Sequence, residues 1–197
     1  MSKALNLRVL LHREINMKNK GFTILEITSV LAIFLLILLL VGSIHVMAQR
    51  TSRRGADQSE LTQNARVVLD RISRELRQAD GIISIISSTT PVSEILFKDG
   101  HDDSQITYIR YYLDGNEIKR SHHAYYFNTD PATYVIWDSL DIFGNPPIEL
   151  VLEDRVVGEY LETVELISVD GLVEINLILN KNRSRIHFGT KVYIRNF

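Results

Sequence analysis

A single carboxylate, Glu26, stands near the start of a long apolar run, directly after Lys18, Lys20, Gly21 and Phe22. An ionisable side chain inside a membrane segment costs about 2.5–3.5 kcal/mol on insertion scales, so it reads first as a functional group. Its cheapest partner is a positive charge close by. Cleavage after Gly21 would create one, the α-amino group of Phe22. Glycine has no side chain, and a backbone that must lie extended against a protease tolerates little bulk there. At an effective dielectric near 20, two unit charges about 4 Å apart attract by about 4 kcal/mol, and desolvation offsets part of that.

The apolar excess lies between Phe22 and Met47, and from Ile27 to Gln49 no residue carries a full charge with His45 neutral. About 20 apolar residues cross a bilayer as a helix, which this run supplies. Lys18 and Lys20 flank the end that stays cytoplasmic. Arg50, Arg53 and Arg54 flank the other end, and Lys3, Arg8 and Arg13 tilt the balance back toward a cytoplasmic amino terminus. Met17 is an alternative start that would leave the short basic leader Met17–Gly21. The rival reading is a cleaved secretory signal. Val46-Met47-Ala48 offers small residues to a signal peptidase, and the mature chain would begin at Gln49 as an exported binding domain with no filament role. Against it stand Glu26 and an apolar run longer than the about 7–15 residues of a signal.

Gly21-Phe22-Thr23-Ile24-Leu25-Glu26 resembles the processing site of type IV prepilins and of the pseudopilins of type II secretion. The resemblance implies that a membrane-embedded aspartyl peptidase cuts after Gly21 and methylates the amino group of Phe22. It also implies that Glu26 guides assembly into a filament. Asn64 to Ala79 is similar to the post-membrane helix of minor pseudopilins of the J type and of PilW-like minor pilins. The closing Tyr193-Ile194-Arg195-Asn196 is similar to their last strand. Family members often carry a proline near Gly42–Ser43, and this chain has none there. The resemblance covers Lys18 to Ala79 well and the remainder loosely. The partners it implies are a prepilin peptidase, other minor pilins or pseudopilins, and the inner membrane. The role implied is structural, at the tip of a type IV pilus or a secretion pseudopilus, supporting assembly, secretion or surface adhesion.

The elements that must position these residues follow from periodicity. Leu61, Ala65, Val68, Ile72, Leu76 and Ala79 recur at steps of three and four, one face of an amphipathic helix. Asp70 with Arg74 and Arg71 with Glu75 are opposite charges at i,i+4. A single helix from Phe22 to Ala79 results, with Gly55 a place for a kink and Asp80-Gly81 suited to a left-handed cap. Strands are expected at 82–86, 94–97, 105–113, 116–122, 134–137, 161–169, 172–180 and 191–194. Asp114-Gly115 and Asp170-Gly171 mark hairpins, and 128–133 and 144–147 read as loops. The fold class is α+β, a long amino-terminal helix on a mainly antiparallel sheet domain. The expected division is a leader at 1–21, a membrane half of the helix at 22–48, an amphipathic half at 49–80 and a β-rich extracytoplasmic domain at 81–197.

Other chemistry is weaker. Asp99-Gly100-His101-Asp102-Asp103 collects oxygen ligands that could hold calcium, but without EF-hand spacing. A solvated loop is the better reading. His122 and His123 are neighbours on a strand and face opposite sides, so they cannot easily share a metal and read as surface histidines. No nucleophile elbow or phosphate loop is present, and the many tyrosines are expected to pack against the helix. There is no cysteine, and the net charge of -2 gives no reason to expect nucleic acid. The chain reads as an interaction protein and not an enzyme, with no cofactor and no metal.

Overall fold

The computed structural model describes residues 21–84, 89–101, 105–169 and 171–194. Helix α1 spans Ile24–Gln78, followed by nine strands: β1 Gly81–Ile82, β2 Glu94–Lys98, β3 Thr107–Asp114, β4 Glu117–Phe127, β5 Asp130–Tyr134, β6 Ile148–Gly158, β7 Leu161–Val169, β8 Leu172–Lys181 and β9 Ser184–Tyr193. The chain divides into two compact units at Gln49/Arg50. In the first, every described residue is exposed. This part of α1 is long and apolar enough to cross a bilayer.

In the second unit the predicted apolar stripe is the centre of the core. Leu61, Ala65, Val68 and Leu76 are 0% exposed, and Ile72 and Ala79 1%. Helical spacing puts these six on one face, and burying them away from water holds the helix down. They pack with side chains from two antiparallel sheets. One runs β1-β2-β3-β4 with β5 and β6 both paired to β4, and the other is β7-β8-β9. Val92 and Leu166 join the sheets by two backbone hydrogen bonds of 3.1 and 2.9 Å. On β8, Val173, Ile175, Leu177 and Leu179 are buried while their neighbours are not, the period-two pattern of a strand with one covered face. The α+β class is as expected from the sequence.

Turn chemistry fixes the registers. Asp114 pairs with Glu117, so the first hairpin loop is Gly115-Asn116, with Gly115 at φ 60°. Lys181 pairs with Ser184 around Asn182-Arg183, with Asn182 at φ 55°. Gly158 is needed for a different reason: a Cβ there would lie 2.3 Å from Val68 Cγ2, so its bareness lets the end of β6 touch α1.

Several expectations need correction. Gly81 has φ 157°, not the left-handed conformation of a helix cap, because it enters β1. The helix end meets the 98–100 segment instead, where Asp80 N–H donates to the Lys98 carbonyl at 3.1 Å. The Arg71–Glu75 pair forms at 3.4 Å, but among the described residues Asp70 and Arg74 form no ion pair. The stretch 128–133 holds most of β5, and β6 was not foreseen. Residues 85 and 86 of the first expected strand lie outside the described residues.

Candidate functional site

Thr23 starts α1 as its cap. Its Oγ1 accepts from the Glu26 N–H at 3.2 Å, and its carbonyl accepts from the Ile27 N–H at 3.2 Å. Thr23-x-x-Glu26 is the spacing of a capping box. The carboxylate of Glu26 also sits in the first turn, where the partial positive charge of the helix end favours it. Gly21 and Phe22 precede the helix. Phe22 is 79% exposed, and nothing lies within 4 Å of where a Gly21 Cβ would be. Glu26 shares a shallow recess with Phe22, Ile27, Val30, Leu31 and Phe34. It is the only charged residue from Ile24 to Gln49. Thr28 Oγ1 and Ser29 Oγ donate back to the Leu25 carbonyl at 2.9 and 2.8 Å, so these hydroxyls are satisfied within the helix.

The second unit holds a buried charge network that the sequence reading did not assemble. Glu75 on α1 receives Arg120 Nε of β4 at 3.1 and 3.0 Å and the Tyr111 hydroxyl of β3 at 2.7 Å. Arg120 Nη1 continues to Glu153 of β6 at 3.2 Å. Burial works against the charge of Arg120. The hydrogen bond to Glu75 and its negative charge more than offset it, and hold the guanidinium above its usual pKa. Burial, and then the adjacent Glu75 carboxylate, push the Tyr111 phenol far up, so it stays a donor. The network ties the helix to three strands and contains no nucleophile poised beside a base.

Of the two histidines expected at the surface, His123 is buried and His122 is half-buried. His123 is 4% exposed. Its Nδ1 lies 2.8 Å from Glu149 Oε1, close but without hydrogen-bond alignment. His122 Nε2 lies 3.7 Å from Asp99 Oδ2. Burial pushes both imidazoles below the ordinary value, with Arg120 adding to the effect at His122, and Asp99 and Glu149 opposing it. Asp99 also accepts from the His101 N–H at 3.0 Å, closing the start of the acidic loop. Asp102 and Asp103 lie outside the described residues. Among the described residues no group of three or more His, Asp or Glu side chains is placed to hold a metal ion.

Of the residues singled out from sequence, Gly21, Phe22 and Glu26 fall together at the start of α1. Lys18 and Lys20 lie outside the described residues, as do Arg195 and Asn196. The cap at Thr23 was legible as a Thr three residues before a Glu and was overlooked. No protein-family model matches the chain, and no curated protein matches it significantly.

Proposed function

We propose that this chain is a prepilin-like filament subunit: a minor pilin or pseudopilin, cut between Gly21 and Phe22, methylated on Phe22 and assembled through Glu26. One observation carries the reading. α1 begins at Ile24, so the Gly21–Phe22 bond stands outside the helix and exposed, while the only charge in the following apolar stretch sits one turn inside it. A peptidase needs extended backbone, and a bundle of spans needs a carboxylate that can meet a neighbour's new amino group. Both are available within six residues. The second unit would then lie outside the cytoplasm as the part offered to partners, with no catalytic role. The secretory alternative places its cut after Ala48, in the middle of a helix.

The test is the mass of the mature amino terminus when the full chain is made with a prepilin peptidase, alongside Gly21→Val, Glu26→Gln and Glu26→Leu. A mature chain starting at methylated Phe22, blocked by Gly21→Val, is expected. Both Glu26 variants should be cut normally but copurify less with partner pilins. A mature start at Gln49, or normal cutting of Gly21→Val, would overturn the proposal.

A further inference from the structure

The start of the Arg50–Phe197 unit carries a charge pattern that the filament reading leaves unused. Arg50, Arg53 and Arg54 follow the apolar stretch directly in the chain, are exposed, and form no ion pair among the described residues. With the amino terminus in the cytoplasm, as read from the sequence, they stand on the translocated side, against the usual bias of basic residues. Steps of three and four put these three arginines on one helix face with Asp57 and Leu61. Leu61 is fully buried. The sheets therefore cover this face further along α1, and the arginines line the part left bare.

The fold adds a fourth arginine from far along the chain. The turn between β8 and β9, Asn182-Arg183, is pinned to α1 at two points. Asn182 Nδ2 donates to Asp57 Oδ2 at 3.0 Å, and Lys181 Nζ reaches Glu60 at 2.5 Å. Asp57 is four positions from Arg53, about 6 Å along the helix. Arg183, exposed and likewise without an ion pair among the described residues, is thus held beside the other three. The nearby carboxylates leave a positive surplus. Glu60 is taken by Lys181, and Glu162 by Arg185 at 2.7 Å. Asp57 alone faces the four guanidinium groups. Glu117 and Glu159 adjoin Ile118 and Gly158, which meet at Val68. Val68 is about 21 Å along α1 from Arg54, well over a Debye length of about 8 Å.

We propose that Arg50, Arg53, Arg54 and Arg183 form a site for the phosphate of an anionic lipid headgroup at the end of the span. Position selects the occupant. The uncharged stretch from Ile27 to Gln49 is twenty-three residues, about 34 Å as a helix, enough to cross a hydrocarbon core of about 30 Å. In a bilayer that holds it, Arg50 to Arg54, about 6 Å of helix, falls in the headgroup layer, which is about 5–8 Å deep on each side. A guanidinium offers phosphate oxygens paired N–H donors. A zwitterionic head brings its own cation to the same phosphate, so the surplus of positive charge favours an anionic one. An acidic protein would have to enter the headgroup layer to meet the same side chains. Bound lipid resists sliding of the span and so sets the depth at which the folded unit stands. The inference rests on the span lying in a bilayer and requires neither cleavage nor a filament.

The test is lipid retention by the full-length chain in a nonionic detergent. Equal amounts of phosphatidylglycerol and phosphatidylcholine are added, and native mass spectrometry gives the ratio of the two bound lipids. The unaltered chain should favour phosphatidylglycerol, and raised salt should weaken the preference. Arg53→Gln/Arg54→Gln and Arg183→Gln should lower the ratio by about fivefold for each arginine removed. Asp57→Asn keeps an acceptor for Asn182 but removes the carboxylate, so it should raise the ratio. Arg66→Gln/Arg77→Gln, exposed arginines of α1 outside the cluster, should leave it unchanged. Unchanged thermal unfolding of each variant confirms that the fold is intact. Equal retention of the two lipids by the unaltered chain would overturn the proposal. So would an equal loss in Arg66→Gln/Arg77→Gln, which would make net charge the only cause, or no loss in Arg183→Gln. An adduct of inorganic phosphate as stable as that of the lipid would assign the arginines to a free anion instead. Capture of a protein and no lipid in cells, by a photoreactive side chain in place of Gln49, would assign them to a protein partner.

Discussion

Removing one partner of the Glu75–Arg120 pair should cost far more than removing both. Glu75 is 8% exposed, and Arg120→Met leaves its carboxylate only the Tyr111 hydroxyl at 2.7 Å and Arg71 at 3.4 Å as partners. Breaking a buried pair by deleting one member costs about 3–5 kcal/mol, and Arg71 still reaches the carboxylate, so the lower end, about 3 kcal/mol, is expected. For a unit of this size each kcal/mol moves the midpoint by about 2–4 °C, so Tm should fall by about 6–12 °C. Glu75→Leu should do similar damage, since Arg120 then keeps only Glu153, whose side chain is 43% exposed. The double variant Glu75→Leu/Arg120→Met carries no stranded charge and should be more stable than either single one. The assay is thermal unfolding of the full chain in detergent, read by circular dichroism and by Trp137, the only tryptophan. A coupling of about 2 kcal/mol is expected, within the range for side chains in direct contact. Single effects of under about 0.5 kcal/mol that simply add would refute the reasoning: the pair would then be effectively solvated, and the apolar stripe alone would hold α1.

Two further outcomes follow from the same unit. Gly158→Ala places a Cβ 2.3 Å from Val68 Cγ2 and 3.3 Å from Ile118 Cγ2. It should destabilise by about 1–3 kcal/mol of overpacking, and Val68→Ala should recover part of the loss; an unchanged Tm would contradict the contact. The unit should also lose stability on mild acidification. His122 and His123 titrate below their ordinary value when folded, whereas the unfolded chain binds their protons from about pH 6.5 downward. Stability is therefore full above that pH and declines as pH falls toward the folded-state values. The charged groups facing the pair are Asp99, Arg120 and Glu153 at His122, and Glu149, Arg110 and Asp154 at His123. Tm compared at pH 7.5 and 5.5 should drop, and less so in His123→Gln. A rise in Tm would mean that Asp99 and Glu149 hold the imidazoles charged.

The helix was legible because its signal is redundant. Six apolar residues keep one period over nineteen positions, and all six are buried in the structure. The paired strands β3–β4 and β7–β8 were legible from alternation and from glycine at the turns. β6 was not, and the reason is physical. Its residues from Ile148 to Val156 are all exposed, so no buried face imposes a two-residue period on the sequence. Glu153, Asp154 and Arg155 then read as a break, although Glu153 and Asp154 are anchored, to Arg120 and to the Tyr112 hydroxyl. The depth of His123 escaped notice for a related reason: its cover comes from residues such as Glu149, distant in sequence, which only register brings alongside. The charge network likewise joins Glu75, Tyr111, Arg120 and Glu153 from four elements, a conjunction that no local window contains.

Glu26 has two physical roles open to it, and they separate cleanly. At the third helical position, closing the Thr23-x-x-Glu26 spacing of a capping box, it needs only an acceptor, which glutamine supplies as well as glutamate. As the partner of a neighbour's amino group in a low-dielectric bundle it needs the negative charge, which glutamine lacks. Glu26→Gln therefore keeps the helix start and loses the pairing, whereas Glu26→Leu loses both. If the cap were the whole of its role, the glutamine form would copurify with partner subunits like the unaltered chain and only the leucine form would fail. If charge pairing drives incorporation, both forms fail together while cleavage at Gly21–Phe22 proceeds, since the cut lies outside the helix and does not depend on the carboxylate. The second outcome is expected, because a lone carboxylate in an otherwise uncharged stretch from Ile24 to Gln49 carries an insertion penalty that an uncharged cap would have avoided.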